Sequence, residues 1–258
     1  MKKIEILWTG GWDSTFRIVE LSRQECEVQP YYIIDKDRKS IEYEKKAMNN
    51  ILKALKKKKE TKAKLNDIIM IEKEKIEENK EITEAYKVIA SKTHLGSQHD
   101  WLARFALSHK NIELGTEDGE IETSHILQSI HEYGNLIFKD GIGYLDENSS
   151  KEGLLVLGNF SYPIINKTEN DMVKLIKEWK YEDVMKLIWF CHTPINGECC
   201  GLCHPCEVKY ESNMKFLLTK KAIRNYKIRN GIRKIFGKRI SNKIAKIYIK
   251  IKNSKGKK

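Results

Sequence analysis

Short apolar runs recur along the chain, and five of them predict β-strands. They are rich in β-branched and aromatic residues, several alternate apolar with polar positions, and turn-forming segments follow them. The five runs are residues 3–8 (KIEILW), 28–35 (VQPYYIID), 67–72 (DIIMIE), the start of 111–119 (NIELGTEDG) and 154–159 (LLVLGN).

The segments between these runs have the period of helices. The longest, residues 40–59, carries one apolar stripe formed by Ile41, Ala47, Met48, Ile51, Leu52 and Leu55. Further helices are predicted over residues 13–24, 100–110, 124–134 and 168–179. Asp13 is the expected N-cap of the first, and Thr168 and Asp171 have the spacing of a capping box. The alternation predicts an α/β fold with a doubly wound, mostly parallel sheet and helices on both faces.

Charge divides the chain into a body, residues 1–218, and a basic tail, residues 219–258. The net charge is +12, but the tail holds sixteen of the 48 Lys and Arg side chains and no Asp or Glu. The body therefore carries 32 basic against 36 acidic side chains. Isoleucines recur in the tail at steps of three to five residues, between lysines and arginines. This amphipathic pattern suits nucleic acid or an anionic membrane surface, and equally a helix that docks on the body or on a second subunit.

Four of the six cysteines follow a C-x8-C-x2-C-x2-C spacing: Cys191, Cys200, Cys203 and Cys206. Thiolates at this spacing can converge on one tetrahedral Zn²⁺, so we predict a structural zinc knuckle over residues 191–206. A disulfide cluster is the alternative. Cys199 can replace Cys200 as the second ligand, and His192 and His204 are other substitutes.

The N-terminal apolar run is not that of a secretion signal, because Glu5 interrupts it and Asp13 follows soon after. The chain also has no apolar stretch of the roughly 18 residues that a membrane span requires. With cysteines at metal-binding spacing, this predicts a cytoplasmic protein.

A glycine turn joins the first predicted strand to the first predicted helix. Glycines there allow a sharp turn with open N–H groups, and the helix N-terminus favours an anion such as phosphate. The predicted phosphate-binding segment comprises Trp8, Thr9, Gly10, Gly11, Trp12, Asp13, Ser14 and Thr15. Asp118, in the turn after the fourth predicted strand, is placed to read a purine-like ring or to shape the turn.

Residues 9–15 (TGGWDST) resemble the pyrophosphate loop of the adenosine-nucleotide α-hydrolases, Ser-Gly-Gly-x-Asp-Ser-Thr/Ser, with Thr9 in place of the first serine. Combined with the cysteine spacing, the chain resembles the 7-cyano-7-deazaguanine synthase family of queuosine biosynthesis over about residues 1–215. Residues 163–167 (PIINK) resemble that family's proline-to-lysine segment. The family's Asp-Tyr-Gly-Gln-Arg segment keeps only Asp35 and Arg38, its Arg-Asn pair is missing before the central helix, and Lys209 stands where an arginine is usual.

The resemblance implies an ATP-dependent carbon–nitrogen ligase that uses Mg²⁺ and zinc. It implies that ATP adenylates 7-carboxy-7-deazaguanine, that ammonia yields the amide, and that a second activation yields the nitrile. By the same resemblance Lys167 neutralises charge on the pyrophosphate, and Asp13 orients Mg²⁺. A homodimer is an expected assembly.

Two other functions stay open at this point. One is a related pyrophosphate-loop enzyme that adenylates another carboxylate or an RNA base, with the tail holding the RNA. The other is a non-catalytic module in which the zinc knuckle and tail bind nucleic acid.

Overall fold

The computed structural model describes residues 1–121 and 124–255, and a six-stranded sheet lies at its centre. The strands, in chain order, are β1 (Lys2–Leu7), β2 (Cys26–Ile34), β3 (Lys64–Leu65), β4 (Ile69–Glu72), β5 (Ile112–Glu113), β6 (Leu136–Lys139), β7 (Ile142–Leu145) and β8 (Phe160–Ser161). The sheet order is β3-β2-β1-β5-β8, and β4 also pairs with β2. All these pairings are parallel, whereas β6 and β7 form a separate antiparallel hairpin.

Helices flank this sheet and extend the chain beyond it. They are α1 (Trp12–Ser22), α2 (Ile41–Lys57), α3 (Lys80–Thr93), α4 (Gln98–Ala106), α5 (His125–Tyr133), α6 (Lys151–Leu157), α7 (Glu169–Trp179), α8 (Glu182–Met185), α9 (His204–Glu211) and α10 (Lys220–Lys255). The predicted α/β class with a mostly parallel sheet is therefore confirmed.

The core has two main clusters that share the strands. Alternation along β2 sends Val28 and Tyr32 into a cluster with α1, α2 and α7, and sends Tyr31 and Ile33 into a cluster with α3, α4 and α6. Trp8, at the end of β1, is fully buried in the first cluster. Since both clusters meet at the central strands, the residues that follow β1 and β5 are held by packed structure.

The prediction of a strand over residues 154–159 is wrong. These residues lie mostly in α6, whose N-cap Ser150 accepts a hydrogen bond from the Gly153 N–H at 3.0 Å. A short apolar run does not by itself distinguish a buried strand from a buried helix. The polar residue Ser150 before the run favours the helix, because it caps the helix N-terminus. Helix α3 and the β6–β7 hairpin were not predicted.

The two predicted caps have different outcomes. Thr168 and Asp171 form the complete capping box of α7. Asp13 is not the cap of α1, because Gly11 occupies the N-cap position and Asp13 lies in the first turn. A carboxylate in the first turn still benefits from the positive end of the helix dipole.

The basic tail is a helical hairpin. Helix α10 breaks at Gly237, whose φ of 79° and ψ of 167° are not helical, into a first arm (220–236) and a second arm (238–255). The arms contact each other through Arg229, whose Nη2 donates to Asn242 Oδ1 at 2.8 Å and whose carbonyl accepts from the Ser241 hydroxyl at 3.1 Å. No helix in the described part of the chain has the length and apolar character needed to cross a membrane.

Candidate functional site

The glycine turn lies where the strand order reverses. The chain proceeds outward from β1 to β2 and β3, then returns to place β5 and β8 on the other side of β1. Loops that leave the carboxyl ends of β1 and β5 diverge at such a point, and this is where open α/β sheets bind ligands.

Gly10 and Gly115 shape the turn for different reasons. Gly10 has a φ of 71°, and a Cβ there would lie 3.0 Å from Met48 Cγ. At Gly115, after β5, a Cβ would lie 3.0 Å from the backbone nitrogen of Ser14. The Gly10 carbonyl accepts a hydrogen bond from the Trp189 N–H at 2.9 Å. The turn is therefore fixed from three sides.

The first turn of α1 has no side-chain cap, so its N–H groups are available to a ligand. Ser14 lies at this N-terminus and lines a cavity. Thr15 is fully buried, and its hydroxyl accepts a hydrogen bond from Trp8 Nε1 at 2.9 Å. The bond between Thr15 and Trp8 thus stabilises the turn from the interior. The residues of the segment that line the cavity beside it are Trp8, Thr9, Gly11, Trp12, Asp13 and Ser14.

Trp12 is 3% exposed, and its Nε1 has no hydrogen-bond partner among the described residues. Its side chain lines two cavities that meet at the turn. A buried donor without a partner is costly, by about 1–3 kcal/mol. The indole N–H therefore suits an acceptor on a bound molecule.

Three adjoining cavities surround the turn, with volumes of about 200, 320 and 450 Å³. Arg38 lines all three, and its Nη2 donates to Glu44 Oε1 at 2.7 Å. The first cavity has apolar and aromatic walls: Leu7, Tyr31, Ile33, Trp101, Leu102 and Leu114. The second is polar and reaches the cysteine segment through His192, His204 and Lys209. The site thus joins an apolar compartment to a charged one.

Four carboxylates line the charged compartment. Glu44 pairs with Arg38, and the other three lie near Lys209: Asp13, Glu117 and Glu169. Lys209 is 8% exposed, and its Nζ lies 3.1 Å from Glu169 Oε2 and 5.6 Å from the centroid of the Trp12 ring. Asp13 and Glu117 share a hydrogen bond beside it. One oxygen of Glu117 is buried without a partner among the described residues. The arrangement concentrates negative charge, which Lys209 offsets.

The surroundings raise the pKa of both shared carboxyls. Burial raises the pKa of Asp13 to about 6, although the positive charge of Lys209 opposes the shift. Burial, followed by the negative charge of Asp13, raises the pKa of Glu117 to about 8. At neutral pH the pair therefore holds one proton, which the two carboxyls share.

Stability should consequently fall as the pH rises from the ordinary carboxyl range to about 8. Both pKa values are higher in the folded protein than in the unfolded chain, so the folded protein binds more protons in this window and its free energy of unfolding decreases with pH. Replacement Glu117→Gln should roughly halve this slope, since one of two titrating groups is removed. Denaturant unfolding across a pH series measures it, with Asp118→Asn on the exposed neighbour as the control. An unchanged slope in the Glu117 variant would contradict the shared proton.

Lys167 lies apart from these groups. Its Nζ is 3.9 Å from Glu20 Oε1, and its carbonyl accepts a hydrogen bond from the Asp118 N–H at 2.9 Å. It does not line the three cavities described above. The role of Lys167 at a pyrophosphate stays a prediction, and in the described structure Lys209 is the lysine inside the charged compartment.

The second candidate centre is a cluster of four cysteines: Cys191, Cys200, Cys203 and Cys206. Their sulfur atoms all lie within 4.8 Å of one another, and the closest pairs are separated by 3.5 to 3.9 Å. Four ligands at 2.3 Å from a tetrahedral Zn²⁺ have sulfur atoms about 3.8 Å apart. The cluster therefore can hold a metal ion such as zinc, with all four positions filled by protein.

Backbone groups orient Cys200 within the cluster. Its sulfur accepts from the N–H groups of Leu202 at 3.2 Å and of Cys203 at 3.3 Å. Hydrogen bonds from the neighbouring thiols, first that of Cys191, lower the pKa of Cys200 and favour the thiolate that a metal requires. Cys199 points elsewhere, with its sulfur 4.0 Å from the Thr219 hydroxyl. Cys200, and not Cys199, thus belongs to the cluster that can hold a metal.

The tail packs against the segment that carries these four cysteines, residues 191–206. Gly201 has a φ of 70°, and a Cβ there would collide with the carbonyl oxygen of Ala222 in the first arm. Asn225 Nδ2 donates to the Cys200 carbonyl at 2.9 Å, and Ala245 of the second arm joins the same buried cluster. The hairpin is therefore packed on the cysteine segment.

Comparison with known proteins adds no relative: no family model, no curated protein and no solved structure matches this chain.

The sequence did not predict Glu117 or Glu169 as residues of the site. Asp118 was predicted instead, but it is exposed and accepts a hydrogen bond from the Gly119 N–H at 2.9 Å, whereas the adjacent Glu117 lines the cavity. Both residues follow β5, so their position alone did not distinguish them. Glu169 was considered only as part of a helix start, although the first turn of α7 directs it at Lys209.

Proposed function

We propose that this chain is an ATP-dependent carbon–nitrogen ligase that converts 7-carboxy-7-deazaguanine and ammonia to 7-cyano-7-deazaguanine through an acyl adenylate and an amide. The observation that carries the proposal is the site itself: an uncapped helix N-terminus after a glycine turn, between an apolar compartment and a charged one. The resemblance of residues 9–15 to a pyrophosphate loop supports ATP, and that of the whole body supports this acid.

The proposed fold is a doubly wound sheet with helices on both faces, in which the strand reversal at β1 creates the nucleotide site. The adenine ring would occupy the apolar compartment beside Trp101 and Tyr31, which suits a flat aromatic group. The triphosphate would lie at the start of α1, where Gly11 and Ser14 present backbone N–H groups to it.

The acid would then enter from the charged compartment, near Arg38 and His192. Its carboxylate oxygen attacks the α-phosphorus of ATP, and pyrophosphate leaves. Ammonia displaces AMP and gives the amide. The amide oxygen then attacks the α-phosphorus of a second ATP and a second pyrophosphate leaves. Loss of AMP and of the protons on nitrogen gives the nitrile. Positive groups fixed at the phosphates stabilise the charge that develops there.

Carboxylate oxygens are ligands suited to Mg²⁺, and Asp13 with its half-buried partner Glu117 supplies them beside the turn. Magnesium would offset negative charge on the phosphates. The cysteine-bound metal would be structural, because the four thiolates leave it no open position.

The test is the reaction itself. Protein, ATP, Mg²⁺, ammonia and 7-carboxy-7-deazaguanine should yield the nitrile by mass spectrometry, and calorimetry should detect ATP binding. Gly11→Ala should weaken ATP binding about tenfold or more, because the added methyl fits the fold but intrudes on the phosphate position. Gly231→Ala, with open space around its Cβ, is the control.

Different outcomes separate the parts of the proposal. No ATP binding by folded, metal-loaded protein rejects the nucleotide site. ATP binding with turnover of another carboxylate keeps the reaction and rejects this acid. Amide as the final product rejects the second activation.

A further inference from the structure

The helical hairpin of residues 220–255 leaves a large apolar surface uncovered. Seven of the seventeen exposed large apolar side chains of the described chain lie on it, and they are 42 to 75% exposed. They are Ile228, Ile235, Phe236, Ile240, Ile244, Ile247 and Ile251. So much exposed apolar surface on one element is typical of an interaction site.

These side chains form stripes rather than isolated spots. Ile240, Ile244, Ile247 and Ile251 follow the i, i+4, i+7, i+11 spacing of one face of the second arm. Residues 228 and 232 lie one turn apart on the first arm, and together with Ile244 they line one groove of about 140 Å³ between the arms. The apolar residues of the two arms thus meet at this groove, where Ile244 of the second arm faces the same space as Ile228 of the first.

Packing against the body does not account for this surface. A neighbouring face of the second arm, with Ser241, Ala245 and Tyr248, packs toward the first arm and the cysteine segment. Its end is tied down by Asn253, whose Nδ2 donates to the Pro194 carbonyl at 3.0 Å. The isoleucines remain exposed after the hairpin has docked.

Positive charge surrounds the stripes. Ten tail cations have no carboxylate within ion-pair distance among the described residues: Lys220, Arg224, Lys227, Lys234, Lys238, Arg239, Lys243, Lys246, Lys250 and Lys252. The tail also contains no acidic residue of its own. Its partner must therefore be both anionic and able to accept apolar side chains.

We propose that the hairpin docks on an anionic lipid membrane and lies in the plane of the headgroups. Lipid phosphates and carboxylates pair with the lysines and arginines, while the isoleucine stripes insert at the boundary between the headgroups and the acyl chains. Nucleic acid would match the charge but leave aliphatic side chains exposed, because its recognition relies on phosphate contacts and aromatic stacking. A second hairpin would match the apolar stripe but repel the charge.

Vesicle sedimentation of the full chain tests the proposal. It should sediment with vesicles of phosphatidylcholine mixed with phosphatidylserine, but not with phosphatidylcholine alone. The double variant Ile240→Ser with Ile247→Ser should lower the partition coefficient about fivefold to tenfold, because it removes two stripe side chains. Val88→Ser with Leu107→Ser, at comparable exposure on α3 and beside α4, is the matched control.

A second double variant tests how much the positive charge contributes to membrane binding. Lys243→Glu with Lys246→Glu should weaken binding at low salt by at least as much, whereas Lys53→Glu on α2 should not. Circular dichroism and zinc content verify that each variant is folded. The proposal is overturned by absence of sedimentation with anionic vesicles, or by binding that the isoleucine variant does not change. Tight RNA binding, or a dimer in sedimentation velocity, that depends on the isoleucines while vesicles are not bound, also overturns it.

Discussion

Replacement of Cys200 by serine is expected to abolish metal binding and to lower the melting temperature by roughly 10 °C or more. Structural zinc sites with four thiolates contribute several kcal/mol to folding. Cys200 is fully buried in the cluster, and its sulfur accepts hydrogen bonds from two backbone N–H groups. The buried cluster around the cysteines also includes Ala222 and Ala245 of the tail. Loss of the metal should therefore loosen the tail hairpin as well. Metal analysis and thermal unfolding measure the effect, and hydrogen exchange in residues 220–255 reports the hairpin.

The neighbouring Cys199 provides a matched control, because its sulfur contacts Thr219 and lies outside the cluster. Cys199→Ser should keep the metal and nearly all of the stability. If the two variants lose metal equally, the assignment of Cys200 as the ligand is wrong. A chelator should reproduce the Cys200→Ser result in the unmodified protein. Addition of zinc should then restore the original melting temperature.

Replacement of Lys209 by methionine should destabilise the protein by about 3–5 kcal/mol at neutral pH. The lysine is buried and ion-paired with Glu169, and its charge opposes the rise in the pKa of both Asp13 and Glu117. Removal of one member of a buried ion pair leaves the carboxylates without compensation. Without Lys209 these carboxyls should take up protons at higher pH than in the unmodified protein, so the loss should shrink as the pH falls toward about 6.

Denaturant unfolding at several pH values measures this dependence. Lys53→Met, on the exposed face of α2, is the control and should change stability by less than about 0.5 kcal/mol. If the loss of stability does not vary with pH, the effect of Lys209→Met arises from packing alone and the charge argument is wrong. ATP binding measured on the same samples shows whether the charge balance of the compartment also matters for the site.

The sequence pattern sufficed for features that depend on near neighbours. The capping box of Thr168 and Asp171 spans one helical turn, so the same local contacts form wherever that helix packs. The strands before and after the first helix were predicted for a similar reason, because their composition and alternation match a buried sheet. An apolar run such as that in residues 151–157 is compatible with both a strand and a helix, and the pattern alone was insufficient to distinguish them.

Roles set by distant contacts were harder to predict. Thr15 was expected at the phosphate, and its hydroxyl instead holds Trp8. The choice of Glu117 over Asp118 depends on how the loop after β5 turns toward α1 and α9. The choice of Cys200 over Cys199 depends on the tight turn at Gly201, against which the tail packs.

By itself, the sequence determined the α/β class, the glycine turn after β1 and the four cysteines that can hold a metal, because composition and spacing encode them over short distances. Only the tertiary structure brought Asp13, Glu117, Glu169 and Lys209 into one compartment and left the isoleucines of the tail exposed. These properties arise when elements far apart in the chain exclude water between them, and local sequence does not specify which side chains are enclosed.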